Sequence, residues 1–242
     1  MSKKSCLNCG HSVSDEFCPH CGQKGDTGRI TPFLFVKNDI LGSIWHVEAR
    51  FLNTLKEILI KPGVTATNYI SGQRIKYYNF ISLMLILFGF NVIALHLYLD
   101  ISKIDFQADS SKTIDFFSKY SKATLLILIP VLACNAWIVF RKIKYNLAEH
   151  FVISTVSLIG ILTFFLADDL ISIAGTYKPL SKISNLIDSV LEIAFVFFPA
   201  FTYINAFRKK YSFAGLTWRL IVFYILVFSE ILGAMVFIDT FL

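Results

Sequence analysis

The sequence predicts an all-α integral membrane helical bundle of about five transmembrane helices, preceded by a small N-terminal zinc ribbon. Of its 242 residues, 55% are hydrophobic and only 17% are charged, and the mean hydropathy is +0.61. Soluble domains are about 45–50% apolar and about 25% charged. Because the apolar residues also fall in long blocks, the sequence favours a membrane protein over a large soluble helical domain.

The N-terminal segment CLNCGHSVSDEFCPHCGQ contains two C-x-x-C pairs, each followed by a glycine, and residues 1–25 are predicted to form the ribbon. Four thiols at this spacing are typical of a closed tetrahedral zinc site, with iron as the chemical alternative. The predicted ligands are Cys6, Cys9, Cys18 and Cys21. We expect His11 and His20 to be solvated, because four thiolates complete the site. Clustered thiols also indicate a reducing compartment, which favours a cytoplasmic N-terminus.

Residues 26–77 are predicted to form a cytoplasmic connector with an amphipathic helix and a membrane-surface segment. Apolar residues recur at intervals of three and four from Ile40 to Ile58, and the pattern ends at Lys61-Pro62-Gly63. Such a helix either lies on the membrane surface or packs against the bundle or a partner. Its mixed charges give no strongly cationic face, which favours packing.

The stretch YISGQRIKYY combines aromatic rings with cations directly before the first predicted span. Tyrosines at headgroup depth and cations on lipid phosphates are typical of an interfacial anchor, and a dedicated phosphate- or lipid-binding site is the alternative. The candidate membrane-surface and headgroup contacts are Tyr69, Arg74, Lys76 and Tyr77.

Residues 78–242 are predicted to form the transmembrane bundle. Five apolar segments approach the length of about 20 helical residues that crosses a hydrocarbon core, and helices are required because lipid offers the backbone no hydrogen bonds. They cover residues 78–99, 123–140, 151–167, 186–207 and 216–238. The third is short if it stops at the Asp168-Asp169 pair, and residues 147–150 bring it to full length. We expect Asp168, Asp169 and Asp188 in solvated outer loops.

The distribution of lysine and arginine sets the predicted orientation. With the N-terminus inside, 17 of the 23 basic residues fall on the cytoplasmic side and six fall outside. This asymmetry fits the positive-inside rule and places the C-terminus outside. The sequence pI of about 9.0 is therefore attributed to orientation in a lipid bilayer, and no nucleic-acid partner is predicted.

Ionisable residues within the spans are candidate functional groups, because they are costly in lipid. We hypothesise that Glu192 and Glu230 share a cavity that binds a proton or a cation; two protonated glutamates bonded to neighbouring helices are the alternative. Glu149 and His150 form a candidate cytoplasmic pair at a helix start, where the carboxylate favours the helix dipole and the imidazole is a candidate titrating or ligand-binding group. Asn91 and Asn135 are expected to form interhelical hydrogen bonds.

Four stretches of the sequence stand out: FCPHCGQ, KPG, YISGQRIKYY and AEHF. In combination they resemble domain-of-unknown-function family 3667, which is found mainly in Bacteroidota. The resemblance covers most of the first 155 residues. It implies a zinc-ribbon-bearing, multi-pass protein of the bacterial inner membrane, and it implies no activity, because the family has none assigned. The chain departs from the family pattern at Asn79-Phe80, where a proline is usual. It also lacks the histidines that often follow the glutamate-histidine pair, which weakens any metal site in the later spans.

No zinc-protease, nucleophile-elbow, phosphate-loop or dinucleotide-binding motif is found in the sequence. We predict a membrane protein of unassigned activity, with a non-enzymatic role favoured, whose cytoplasmic ribbon serves docking of a protein partner or regulation. One alternative is a small transporter or permease-like protein, which requires a cavity joining Glu192 to Glu230. A less favoured alternative is a membrane enzyme acting on lipid-linked groups, which requires Arg74, Lys76 and His150 around one pocket.

Overall fold

The computed structural model describes residues 4–25, 50–102 and 127–241. The first part of the predicted amphipathic helix, from Ile40, and the beginning of the second predicted span, at residue 123, lie outside the described residues. The described helices are α1 (Arg50–Ile60), α2 (Pro62–Ile70), α3 (Phe80–Ser102), α4 (Ile127–Val139), α5 (Leu147–Gly175), α6 (Ser181–Phe207) and α7 (Phe213–Phe241).

The N-terminal ribbon contains a two-stranded antiparallel sheet. Strand β1 (Lys4–Ser5) pairs with β2 (Ser12–Val13), so that Lys4 lies opposite Val13 and Ser5 opposite Ser12. The ribbon buries only three hydrophobic side chains, and two of them are cysteines: Cys6, Val13 and Cys18. So small a core cannot offset the conformational entropy of folding, and the ribbon therefore depends on a further cross-link.

Two short helices connect the ribbon to the spans. Helix α1 ends at Ile60, as the Lys61-Pro62-Gly63 sequence predicts. Pro62 does not end helical structure, however, because it occupies the first turn of α2, where a missing N–H costs nothing. Ile58 on α1 is fully buried in the main core, so α1 packs against the bundle.

Helix α2 packs against α5 and α6 and is largely enclosed by the bundle. Gly63 makes this possible, because a Cβ at that position would overlap the backbone of Thr202 and Ala206 on α6. The backbone N–H of Val64 donates to Asn205 Oδ1 at 2.9 Å and thereby fastens the start of α2 to the same helix. These contacts join the segment to the bundle, and its predicted place at the membrane surface stays a prediction.

Among the described residues, four helices are long and apolar enough to cross a membrane: α3, α5, α6 and α7. They confirm four of the five predicted spans. For the remaining span the described part is α4, a shorter apolar helix. Helix α5 lies at the centre, packed mainly against α3 and α6, because its apolar side chains cover every face. Asn91 Nδ2 on α3 donates to the carbonyl of Leu162 on α5 at 3.0 Å, which confirms the predicted interhelical bond.

The aspartates expected in outer loops lie inside helices. Helix α5 continues through Asp168 and Asp169 to Gly175, and Asp188 lies within α6. At 1.5 Å per residue the 29 residues of α5 extend roughly 43 Å, whereas the hydrocarbon core is about 30 Å thick. The helix is therefore long enough to cross the hydrocarbon core and still carry its acidic end outside it.

The approach of α2 to α6 predicts that Gly63→Ala destabilises the bundle by about 1–3 kcal/mol, because the added methyl group forces the two backbones apart. Gly89→Ala is the matched control: an added Cβ there meets no atom within 4 Å, and alanine is the better helix former. Thermal unfolding of the purified proteins in detergent measures both. Equal melting temperatures for the two variants would contradict the packing of α2.

Candidate metal centre and its attachment to the bundle

The four predicted cysteine ligands converge on one point. Their sulfur atoms all lie within 4.8 Å of one another, with Cys6 Sγ 3.6 Å from Cys21 Sγ and Cys9 Sγ 3.7 Å from Cys18 Sγ. For tetrahedral coordination with zinc–sulfur bonds of about 2.3 Å, neighbouring sulfurs lie roughly 3.8 Å apart. The thiols thus fit a single metal ion, and they fill all four coordination positions.

Two equivalent turns produce this convergence. In each turn the glycine after the second cysteine donates its N–H to the carbonyl of the first cysteine at 2.8 Å, Gly10 to Cys6 and Gly22 to Cys18. Both glycines have positive φ, 76° and 73°, a conformation that side chains disfavour. The glycines therefore let the chain fold back, so that both thiols of a pair point to the same ion.

The two ribbon histidines lie outside the thiol cluster. Their rings stack on each other with centroids 5.1 Å apart, and both side chains are exposed. His11 and His20 are thus solvated in the structure, as expected, and they connect the two turns across the ribbon surface.

The ribbon is attached to the bundle through Gln23, the residue that follows its last turn. The Gln23 side chain is buried, and its Nε2 donates to the carbonyl of Gly72 at 2.6 Å. Gly72 has a φ of +113°, and a Cβ there would overlap the side chain of Leu7 from the ribbon. Both the backbone conformation and the contact with Leu7 therefore require glycine at position 72.

The turn that contacts the ribbon is also fixed to α1. Arg50 Nη1 donates to the carbonyl of Ile75 at 2.7 Å, and the N–H of Tyr78 donates to Thr54 Oγ1 at 2.8 Å. We call residues 71–79 the docking turn. It connects α2 to α3 and joins the ribbon, α1 and the bundle at one place.

The four candidate headgroup residues are close together but mostly serve the protein interior. Tyr69 and Tyr77 are buried and pack on Phe80, with ring centroids 4.6 and 5.9 Å away. They face protein, which corrects the expectation that they contact headgroups. The Arg74 guanidinium lies 5.8 Å from the centre of the Tyr69 ring, and Lys76 Nζ lies 2.9 Å from Glu57 Oε1. The hydrogen bond to Glu57 raises the pKa of Lys76, so this lysine remains charged at neutral pH.

Glu149 and His150 are neighbours in sequence but have different surroundings. Glu149 and Asn146 form a reciprocal cap at the start of α5: Asn146 Oδ1 accepts from the N–H of Glu149 at 2.9 Å, and Glu149 Oε2 accepts from the N–H of Asn146 at 2.7 Å. His150 is fully buried between the rings of Tyr145 and Phe207, and neither ring nitrogen has a hydrogen-bond partner within the described residues. Arg74, Lys76 and His150 thus contact different residues.

The two intramembrane glutamates also contact different helices. Glu192 lines a groove of about 590 Å³ with Asp168 and five apolar residues: Phe165, Ile193, Phe195, Val196 and Phe197. Glu230 is not among these lining residues. Its Oε2 accepts from Asn135 Nδ2 on α4 at 2.6 Å, which also confirms the interhelical bond predicted for Asn135.

Sequence reasoning missed two contacts of this site. Gln23 and Gly72 belong to separate motifs, and no signal in a single sequence shows that the motifs meet. The groove shared by Glu192 and Asp168 is not evident from the sequence, because an aspartate pair after an apolar segment predicts a loop. A helical period extended through Asp168 and Asp169 would have placed Asp168 on a helix.

Removal of one ligand thiol tests the metal centre. We expect the wild-type protein to carry one metal ion per chain and Cys18→Ser to lose it, because three thiolates leave the ion accessible to exchange. Cys134→Ser is the control, since Cys134 lies on α4 outside the cluster. Elemental analysis of the purified proteins measures the stoichiometry. Retention of a full ion by Cys18→Ser would contradict the four-thiolate site.

The contact between α4 and α7 predicts a structural role for Glu230. Glu230→Leu should lower the free energy of unfolding by about 1–3 kcal/mol, because the buried Asn135 amide loses its acceptor. Glu230→Gln retains an acceptor and should unfold near the wild-type temperature. Glu192→Leu serves as a control that removes a carboxylate without such a bond. Equal destabilisation by Glu230→Gln and Glu230→Leu, measured in detergent, would show that the charge matters instead.

Comparison with known proteins found a family match that covers the helices and the turn to which the ribbon is attached. Searches of curated proteins and of solved structures found no match. Residues 48–90 match the model of a family described as protein of unknown function (DUF3667), and this stretch contains α1, α2, the docking turn and the first part of α3. The match confirms over residues 48–90 the resemblance to this family that the sequence predicts.

Proposed function

We propose that this multi-pass membrane protein uses a cytoplasmic zinc ribbon to dock a protein partner and to convey that contact to the helical bundle. In this proposal residues 1–25 are the docking module, residues 26–77 connect it to the membrane, and residues 78–242 form the bundle. The protein resides in the inner membrane, with its N-terminus in the cytoplasm and its C-terminus outside.

The hydrogen bond from Gln23 to Gly72 is the observation that carries the proposal. It fixes the ribbon to the docking turn, and the docking turn leads directly into α3. A partner that moves the ribbon therefore acts on the start of a membrane-spanning helix. A ribbon that served only its own stability would not need this contact.

The chemistry of the metal centre favours a structural use. Four thiolates leave no coordination position for water or substrate, and zinc of this kind acts by folding a small module. Zinc is the metal that we propose, because the spacing matches structural zinc sites; iron has the same tetrahedral preference for thiolates.

The surface of the ribbon offers apolar and aromatic contacts. Phe17 and Leu7 are 54% and 49% exposed, although both lie in a module with almost no core of its own. The stacked rings of His11 and His20 add a flat surface. Exposed apolar and aromatic groups are typical of protein interfaces, so we propose a cytoplasmic protein as the partner.

The ends of the helices support the orientation. The α4–α5 and α6–α7 connections carry basic residues, whereas Asp168, Asp169 and Asp188 lie toward the opposite ends of α5 and α6. The docking turn precedes α3 and so lies on the basic side. Positive charge on the ribbon side is the pattern of a cytoplasmic face.

The geometry gives less support to the two alternatives. A transporter using both glutamates requires one cavity, yet the groove at Glu192 is lined by Asp168 and not by Glu230. An enzyme acting on lipid-linked groups requires Arg74, Lys76 and His150 around a common pocket, yet each contacts different neighbours.

Affinity capture from membranes tests the proposal with three variants of the full chain. We expect Cys18→Ser to lose a partner that wild type and Cys134→Ser retain. Gln23→Ala should keep its metal ion, while amide hydrogen exchange in residues 4–25 becomes faster because the ribbon is released. An unchanged set of partners in Cys18→Ser would refute docking, and unchanged exchange in Gln23→Ala would refute attachment through Gly72.

A further inference from the structure

A cavity of about 470 Å³ lies where the α4–α5 connection meets the start of α7. Three of its lining side chains are cationic: Lys142, Lys210 and Arg219. The other lining residues are Ile143, Tyr211, Ser212 and Gly215. Its volume falls within the range of about 300–1,000 Å³ that is usual for small-molecule sites.

No carboxylate neutralises these cations within the part of the chain that the structure describes. None of the three forms an ion pair there. Glu149 is the acidic residue at this end of α5, and its Oε2 accepts from the N–H of Asn146. Because like charges repel and opposite charges attract, three cations around one cavity favour the binding of an anion there.

Aromatic rings hold two of the cations in place. Lys210 Nζ lies 4.6 Å from the centre of the Tyr145 ring, and Arg219 Cζ lies 4.4 Å from that of Tyr211. Arg219 Nη1 also donates to the carbonyl of Gly215 at 2.7 Å. Lys142 has no such contact within the described residues and is exposed. Two cations are thus positioned before a ligand arrives, and the third is available to close over it.

The depth of the cavity matches that of lipid phosphates. Its residues belong to the connections that follow α4 and α6 and to the first turns of α7, so it lies where the apolar helices end. Trp218, 57% exposed near the start of α7, is a residue type that collects at the membrane interface. Basic pockets between spans at this level are typical of sites for anionic headgroups.

We propose that this cavity binds a phosphate group through Lys142, Lys210 and Arg219, with the Ser212 hydroxyl as an additional donor. The phosphate belongs either to the headgroup of an anionic lipid or to a soluble phosphate compound. The site is separate from the metal centre and does not rest on the docking proposal.

Native mass spectrometry of the full-length protein in detergent, titrated with phosphatidylglycerol, tests the assignment; phosphatidylcholine, whose headgroup carries no net charge, is the comparison lipid. Lys142→Glu should weaken phosphatidylglycerol binding about thirtyfold, because it changes two charge units at about 1 kcal/mol each. Lys209→Glu is the matched control, since Lys209 is exposed in the same connection but does not line the cavity. It should weaken binding several-fold less than Lys142→Glu does, because its side chain does not line the cavity that holds the phosphate.

Arg219→Gln removes the cation that α7 contributes to the cavity and should weaken binding about fivefold. If this variant fails to fold, Lys142→Glu decides the question alone, because Lys142 loses no side-chain partner among the residues that the structure describes. A second titration uses inorganic phosphate without lipid. Binding of inorganic phosphate that depends on Lys142, with no preference for phosphatidylglycerol over phosphatidylcholine, assigns the site to a soluble phosphate. Equal losses in Lys142→Glu and Lys209→Glu, or no saturable binding of either probe, would overturn the proposal.

Discussion

The carbonyl oxygen of Gly72 is the acceptor on which the arrangement of the non-membrane segments depends. It accepts one hydrogen bond from the Gln23 side chain and another from the N–H of Arg74. The first holds the ribbon and the second closes the docking turn. Arg50 and Thr54 then fasten this turn to α1. Because all these bonds use backbone groups of one short segment, the ribbon, α1 and the start of α3 form one connected unit.

A second constraint is the depth at which α2 lies in the bundle. Its contact with α6 requires a residue without a side chain, and Gly63 provides it. Asn205 satisfies the N–H of Val64, which would otherwise be an unpaired donor at a buried helix start. The stretch that matches the family model therefore contains Gly72, which accepts the hydrogen bond from the ribbon, and Gly63, which lets α2 approach α6, but not the four cysteines.

The features that could be predicted from sequence are those fixed by local spacing. The two C-x-x-C pairs identified the metal centre, and apolar length identified four of the spans. The features that could not be predicted depend on tertiary contact. Tyr69 and Tyr77 have the composition of an interfacial belt, but both are buried and pack on Phe80, a contact that no local pattern shows. The sequence predicts Glu230 either to share a cavity with Glu192 or to bond to a neighbouring helix, and no pattern shows that Asn135 lies opposite it.

The contact between Gln23 and Gly72 joins a carboxamide to a peptide carbonyl, and neither group ionises at cellular pH. Salt and mild acidification act on charged groups, so neither should weaken this hydrogen bond much. The contact depends instead on two backbone conformations: the fold of the ribbon around its four thiols and the positive φ of Gly72. Oxidation of the four thiols would deform the ribbon that presents Gln23, so this junction responds to the redox state of its surroundings.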